Sequence, residues 1–538
     1  MSARHVLVVG SGASAVHFAQ SALERGSRVT MLDVGRERPE PVRPDLPFAA
    51  LKTELDDPCA YFLGPRYEAV LWPGASGEYY GVPAHKSYVF EGVPQFRLRA
   101  RGFAPLSSFG QGGLAEAWTG AALPFTAPEV EDYPFPYEEL APYYGRVARR
   151  IGVSGAADDL AAFLPAHEHL GEALDLDEHS ALLLARYQKK KRALNEDLGC
   201  WMGRSRVAVL RDDTPSRQGC TYLGRCLWGC PRDALYTPSI TLREIRTHAG
   251  FRYVGGVYVS RLEIDGANRV RAAVAERLAG GASERHEADA VVLAAGTLSS
   301  SRIFLESLRQ HGGSAPRLAG LMDNRQVLLP FVNLGMLRRV YDAESYQYHQ
   351  LALGLTGPRP KEYVHGLVTT LKTALIHPIV QSLPLDLASA LYVFKNAHAA
   401  LGVVNVNWFD SRREENSLEL EPAADGGPSR MLVSYSPASD EKQRIRATLR
   451  RVRGALWELG CFVPPGMMHV RPMGASVHYA GTLPMSAQRR PLTTSRDGAS
   501  HDLENLWFAD GTTLPFLPAK NLTFTLMANA MRIAERAF

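Results

Sequence analysis

The chain has 538 residues, 46% of them apolar, more than one hydrophobic core usually supports, which predicts at least two lobes with buried volume for a cofactor. Its 60 basic and 56 acidic residues leave a formal net charge of +4, a balance that offers nothing to nucleic acid or to an acidic polymer. No internal repeat or low-complexity tract points to a solenoid or a disordered tail.

The first element is an apolar strand, His5-Val6-Leu7-Val8-Val9, feeding the turn Gly10-Ser11-Gly12-Ala13-Ser14-Ala15. A helix from Ala15 to Arg25 follows, and Gly26 leads into a second strand, Arg28 to Asp33. In such a β-α-β unit Gly10 permits the tight turn and Gly12 lets the backbone approach a pyrophosphate. The helix start around Ser14 offers N–H groups and a positive dipole end. Ala15 takes the third glycine position, which only has to keep the helix close to the strand. Asp33, at the strand tip, is placed to accept hydrogen bonds from adenosine ribose hydroxyls. A strand beginning so near Met1 leaves no length for a secretory signal, so a cytoplasmic protein is expected.

The Pro-rich run Pro39 to Pro47 marks the exit from this unit, and Asp132-Tyr133-Pro134-Phe135-Pro136-Tyr137 marks a second border. From there to about residue 199 the pattern reads as helical, with apolar residues at helical spacing in Ala173 to Asn195. Residues 250 to 275 alternate apolar and polar around Asp265-Gly266, a hairpin-like insertion in which Val257 and Val259 are candidates for adenine contact. A later insertion, roughly 330 to 470, contains strands at Leu401 to Trp408, Leu418 to Glu421 and Arg430 to Tyr435, then a long helix, Asp440 to Leu459.

Other features carry less chemistry. Cys220, Cys226 and Cys230 fall within eleven residues, but no fourth ligand stands at suitable spacing, so a packed turn with reduced thiols is expected and no metal. Lys189-Lys190-Lys191-Arg192 reads as a solvated helix face. His167-Glu168-His169 reads as a polar loop, since helical residues two apart point to different sides. The apolar stretch Leu371 to Val404 is interrupted by Lys372, Pro378, Pro384, Asp386 and Lys395 and cannot span a membrane. It is core, subunit contact, or a greasy lid over the active site that would favour a hydrophobic or lipid-linked substrate.

Three ordered blocks carry a resemblance. Ala288 to Arg302 contains Val291-Val292-Leu293-Ala294-Ala295-Gly296; Val477-His478-Tyr479-Ala480-Gly481-Thr482 precedes Met485; and Asn505-Leu506-Trp507-Phe508-Ala509-Asp510-Gly511 leads to Asn521-Leu522-Thr523-Phe524-Thr525. Together they resemble the glucose-methanol-choline (GMC) family of flavin oxidoreductases, and Gly110-Gln111-Gly112-Gly113 to Trp118 resembles the flavin-side loop of its pyranose-oxidase-like branch. The resemblance implies an α/β fold: a discontinuous, Rossmann-like FAD-binding domain with an α+β substrate-binding lobe, the two-domain architecture shared with p-hydroxybenzoate hydroxylase. The FAD domain would comprise 1–40, 95–130, 215–329 and 470–538, and the lobe 41–94, 131–214 and 330–469. It further implies His478 as general base and Asn521 as its partner on the alcohol, with hydride passing to flavin N5. Flavin contacts would come from Gly112, Gly113, Ala295, Gly296, Asp510, Gly511, Leu522 and Thr523. Ala117 stands where some members carry a histidine bonded to the flavin, so FAD is expected to be non-covalent.

The expected reaction is oxidation of a small-molecule alcohol, on a sugar, glycoside or natural product, with dioxygen or an external carrier as electron acceptor. A homo-oligomer is compatible with this reading. Its rivals are a redox-silent lyase on the same fold and a non-catalytic flavin-binding protein, the latter disfavoured by the intact His478 and Asn521.

Overall fold

The structure, a computed structural model, describes residues 4–38, 45–70, 78, 81–372, 376–422 and 428–538. His5–Val9 is the central strand of a five-stranded parallel sheet ordered Leu506–Phe508, Ala290–Leu293, His5–Val9, Arg28–Leu32, Phe251–Val254. A parallel sheet needs cover on both faces, and alternation along one strand provides it. Val6 and Val8 enter the core beneath the helices Ala13–Glu24 and Thr523–Ala537, whereas Leu7 and Val9 enter the opposite core with Val257, Val259 and Phe304.

Two expected elements divide. Phe251–Val254 pairs with Arg28–Leu32 as an edge strand, so the antiparallel hairpin is Val257–Ile264 with Val270–Arg277, extended by Ser283–Glu287. The helical stretch up to residue 199 becomes Tyr137–Ile151 and Glu178–Glu196. Gly152 ends the first at a φ of 70°, and Asp177 caps the second by accepting from the Ser180 N–H at 2.6 Å. Residues 39–44 of the Pro-rich run lie outside the described residues.

A second sheet, antiparallel throughout, runs in the order Cys461–Phe462, Arg325–Asn333, Leu401–Trp408, Val364–Thr370, Leu351–Leu355, Cys200–Arg204. Val327, Leu329, Phe331, Val404 and Val406 bury its outer face under the helices Glu178–Glu196 and Glu441–Glu458. The alternate residues Pro330, Val332, Val403 and Asn405 face an internal cavity, making this sheet a roof. Ser417–Glu421 and Arg430–Ser434 are not part of it. They pair with each other, and Arg430–Ser434 also pairs with Leu98–Arg101, so that Leu418, Met431 and Val433 pack into the core on the parallel-sheet side.

The apolar stretch 371–404, of which 373–375 lie outside the described residues, connects two roof strands through the helices His377–Val380 and Leu387–Ala397. No helix among the described residues is long and apolar enough to cross a membrane.

Candidate active site

A cavity of about 1100 Å³ opens between the C-terminal ends of the parallel strands and the roof, the place where open α/β sheets bind ligands. On its floor Gly10 adopts a φ of 99°, and a Cβ there would lie 2.8 Å from the Ala294 carbonyl oxygen, so only glycine fits the turn. Gly12 caps the helix Ala13–Glu24 without a side-chain hydrogen bond, leaving the first-turn N–H groups free to face a ligand; Gly12 and Ser14 both line the cavity. Asp33 lines it too, accepting from Ser11 Oγ and, at 3.0 Å, from the Tyr253 hydroxyl. Burial pushes its carboxyl up to about 6.

Gly113, Ala117, Val257, Ala295, Gly296, Asp510, Gly511, Leu522 and Thr523 all stand on the same wall. Asp510 ties that wall together, accepting from Ser300 Oγ at 2.5 Å, the Gly296 N–H at 2.9 Å and Thr512 Oγ1 at 2.8 Å. Ala15 and Gly112 stand behind the wall instead. Ala15 is in the core between helix and sheet, and the Gly112 N–H donates to Ser11 Oγ at 2.9 Å, bracing the turn without reaching the cavity.

His478 and Asn521 also line the cavity and meet there, with Asn521 Nδ2 3.2 Å from His478 Nε2. The other ring nitrogen, Nδ1, lies 3.0 Å from Asn324 Oδ1. Asn324 Nδ2 donates to the carbonyls of Trp408 at 2.9 Å and Pro518 at 2.8 Å, which accept only, so its Oδ1 is the atom turned to the histidine. His478 therefore carries its proton on Nδ1 and presents a lone pair at Nε2. Burial, helped by the Arg471 charge, lowers its pKa to about 4, so the ring is neutral at physiological pH.

The residue before it, Val477, has a φ of 58°, a left-handed conformation that is costly for a β-branched side chain. The turn is held from beneath. Asp323 accepts from the Gly474 N–H at 2.6 Å and from Ser476 Oγ, which in turn accepts from the His478 N–H at 3.0 Å. On the other side Lys520, fully buried, donates to Glu129 at 2.6 Å and to the Phe163 carbonyl at 2.5 Å, fixing the approach to Asn521. No sequence motif surrounds Asp323 or Asn324, and Lys520 stands beside Asn521 without a pattern of its own that marks it. The helix Thr523–Ala537 starts immediately afterwards with no side-chain cap, so a second uncapped helix N-terminus opens onto the cavity.

Residues 412–530 match the GMC oxidoreductase family. The C-terminal region is a GMC oxidoreductase domain. It contains the strand and turn of Asp510 and Gly511, His478, and Asn521 with the start of the closing helix. The whole chain is 24% identical to paromamine 6'-oxidase of Streptomyces fradiae, over 98% of this chain and 90% of that protein. A 23% identity to 6'''-hydroxyparomomycin C oxidase of Streptomyces lividus likewise covers 98% and 90%. Among solved structures, pyridoxine 4-oxidase from Mesorbium loti shares the fold with a TM-score of 0.59 and 17% identity, over 99% of both chains.

The cavity fits the FAD of the GMC oxidoreductases. A glycine turn and an uncapped helix start would hold the pyrophosphate, Asp33 the adenosine ribose, and the second helix start the flavin end. Ala117 offers no nucleophile for a covalent bond.

The remaining sequence features stay clear of this chemistry. Cys220, Cys226 and Cys230 pack with Tyr346 in a loop core, and among the described residues no group of three or more His, Cys, Asp or Glu is arranged to hold a metal. His167-Glu168-His169 lies in a loop, and Lys190, Lys191 and Arg192 pair with Glu458, Asp159 and Glu196 on an exposed helix face.

Proposed function

We propose that the protein oxidises an alcohol to a carbonyl compound with FAD, using His478 as the base that takes the hydroxyl proton. The observation that carries this reading is the fixed tautomer: a buried, neutral imidazole with its lone pair at Nε2, beside an amide donor and on the wall of the cofactor cavity. FAD, when bound, supplies the hydride acceptor. His478 Nε2 receives the O–H proton, and Asn521 Nδ2 donates to the alcohol oxygen and orients it. The roof residues Pro330, Val332 and Val403 keep water from the site. The start of the helix Thr523–Ala537 places positive dipole where negative charge develops.

The names of the relatives support a hydroxyl on a sugar, glycoside or other natural product as the donor, and their being oxidases supports dioxygen as the acceptor. The test is an anaerobic visible spectrum of the purified holoenzyme before and after adding panels of such alcohols. Bleaching of the flavin band, reversed by air, supports the proposal. Bound flavin that no alcohol bleaches would favour a redox-silent fold.

A further inference from the structure

The two ends of the cavity differ in chemistry. Beyond the cofactor wall it is bounded mostly by apolar side chains, among them Pro330, Val332, Leu383, Phe394, Val403 and Met467, contributed by the roof strands, the helix Leu387–Ala397 and neighbouring loops, with the neutral amides of Gln347 and Asn405 between them. Among the described residues lining the cavity the carboxylates are Asp33 and Asp510. Both belong to the cofactor wall and both are already engaged. The charged side chains on the substrate side are Lys372 and Arg471. Their carboxylate partners, Asp177 for Lys372 and Glu78 for Arg471 at 2.6 Å, stand behind the wall.

We propose that the site accepts an uncharged alcohol carried on an apolar body and rejects alcohols that bear an ammonium group, a specificity that rests on the oxidation reading above. An ammonium entering this space would lose its hydration without meeting a free carboxylate, since Asp177 and Glu78 are already committed to Lys372 and Arg471. An apolar body instead gains by burial against the roof and the Leu387–Ala397 helix, with its hydroxyl at His478. The walls therefore favour a glycoside or natural product whose far side is hydrocarbon over an amino sugar.

A matched pair of probes tests this on the holoenzyme: benzyl alcohol and 4-(aminomethyl)benzyl alcohol, compared at neutral pH, where the second is a cation. Anaerobic stopped-flow reduction of the flavin gives the rate, and perturbation of the flavin absorption band gives binding independently of turnover. The second-order rate constant for the uncharged probe should exceed that for the cation by about a hundredfold, the order expected for an uncompensated buried charge. The gap should narrow as pH is raised and the amine loses its charge. Equal rates, or preference for the cation, would overturn the inference. Should neither probe reduce the flavin, the inference is judged on binding alone, while the oxidation reading stands or falls on the panels of alcohols described above. Tighter binding of benzyl alcohol by about tenfold or more would uphold it, and equal or undetectable binding of the two would overturn it.

Discussion

Asn324 Oδ1 accepts the Nδ1 proton of His478 across 3.0 Å, although 154 residues separate them in the chain. Because the Asn324 amide nitrogen is committed to two carbonyls, the contact leaves the imidazole a single role at Nε2. Replacing that neutral partner by a carboxylate makes the relationship measurable. In Asn324→Asp the added negative charge beside Nδ1 stabilises the imidazolium, so the His478 pKa rises from its low value. The acid limb of the flavin-reduction rate constant should then move to higher pH, while the neutral-pH rate changes less. A limb that stays in place would mean that this contact does not govern the base.

His478→Ala should retain FAD, since the glycine turn, Asp33 and Asp510 do not depend on the imidazole. Substrate-driven reduction should fall by about 10²–10⁴, the range for loss of a general base. Flavin absorbance per protein and single-turnover reduction measured on one sample separate the two effects. Near-normal reduction would remove His478 from the role.

The wild-type pH profile is fixed by the same burial. A base must be neutral to accept a proton, and desolvation holds the His478 pKa at about 4, below the ordinary 6.5. The reduction rate constant should be level from neutral pH through the ordinary histidine range and fall only as pH approaches about 4. The same decline centred on the ordinary value would indicate a solvated imidazole.

Much of this site is legible in sequence because it is built from short contiguous segments. The turn at Gly10 and Gly12, the strand tip at Asp33 and the Asn521-Leu522-Thr523 helix start each announce themselves within a few residues. What positions the base is not local. Asp323 and Asn324 precede an ordinary apolar strand, and their partners at Gly474, Ser476 and His478 arrive only when the chain closes. The helical boundaries failed for a related reason. Gly152 and Asp177 stop and restart the helix, and the segment between them meets other parts of the fold, Ser154 bridging to Val207, whereas periodicity alone reads on through such a gap.

Lys520 and Glu129 are almost fully enclosed and paired at 2.6 Å. Removing one charge leaves the other buried without its partner, so Lys520→Met should lower unfolding stability by about 3–5 kcal/mol. Lys520→Met combined with Glu129→Gln should recover part of that loss, because no uncompensated carboxylate remains. Chemical denaturation of the two variants and the parent checks the order. A double variant less stable than the single would show that the loss comes from packing and not from the stranded charge.

Gly511 lies against the loop segment that carries His478. A Cβ there would fall 2.4 Å from the Tyr479 carbonyl oxygen and 2.6 Å from Thr297 Oγ1, and the first of these is backbone that cannot turn aside. The Gly481 N–H donates to the Gly511 carbonyl at 2.9 Å, so any shift of this loop also disturbs the base-bearing segment. Gly511→Ala should cost about 1–3 kcal/mol as overpacking. It should also lower the flavin retained through purification, because the displaced loop carries Asp510, whose bonds hold the cofactor wall at Gly296 and Ser300. Gly266→Ala, where a Cβ meets nothing within 4 Å, is the control and should stay within about 0.5 kcal/mol of the parent. If both variants keep full flavin and equal stability, the close approach of the two loops is not what shapes the cofactor end of the cavity.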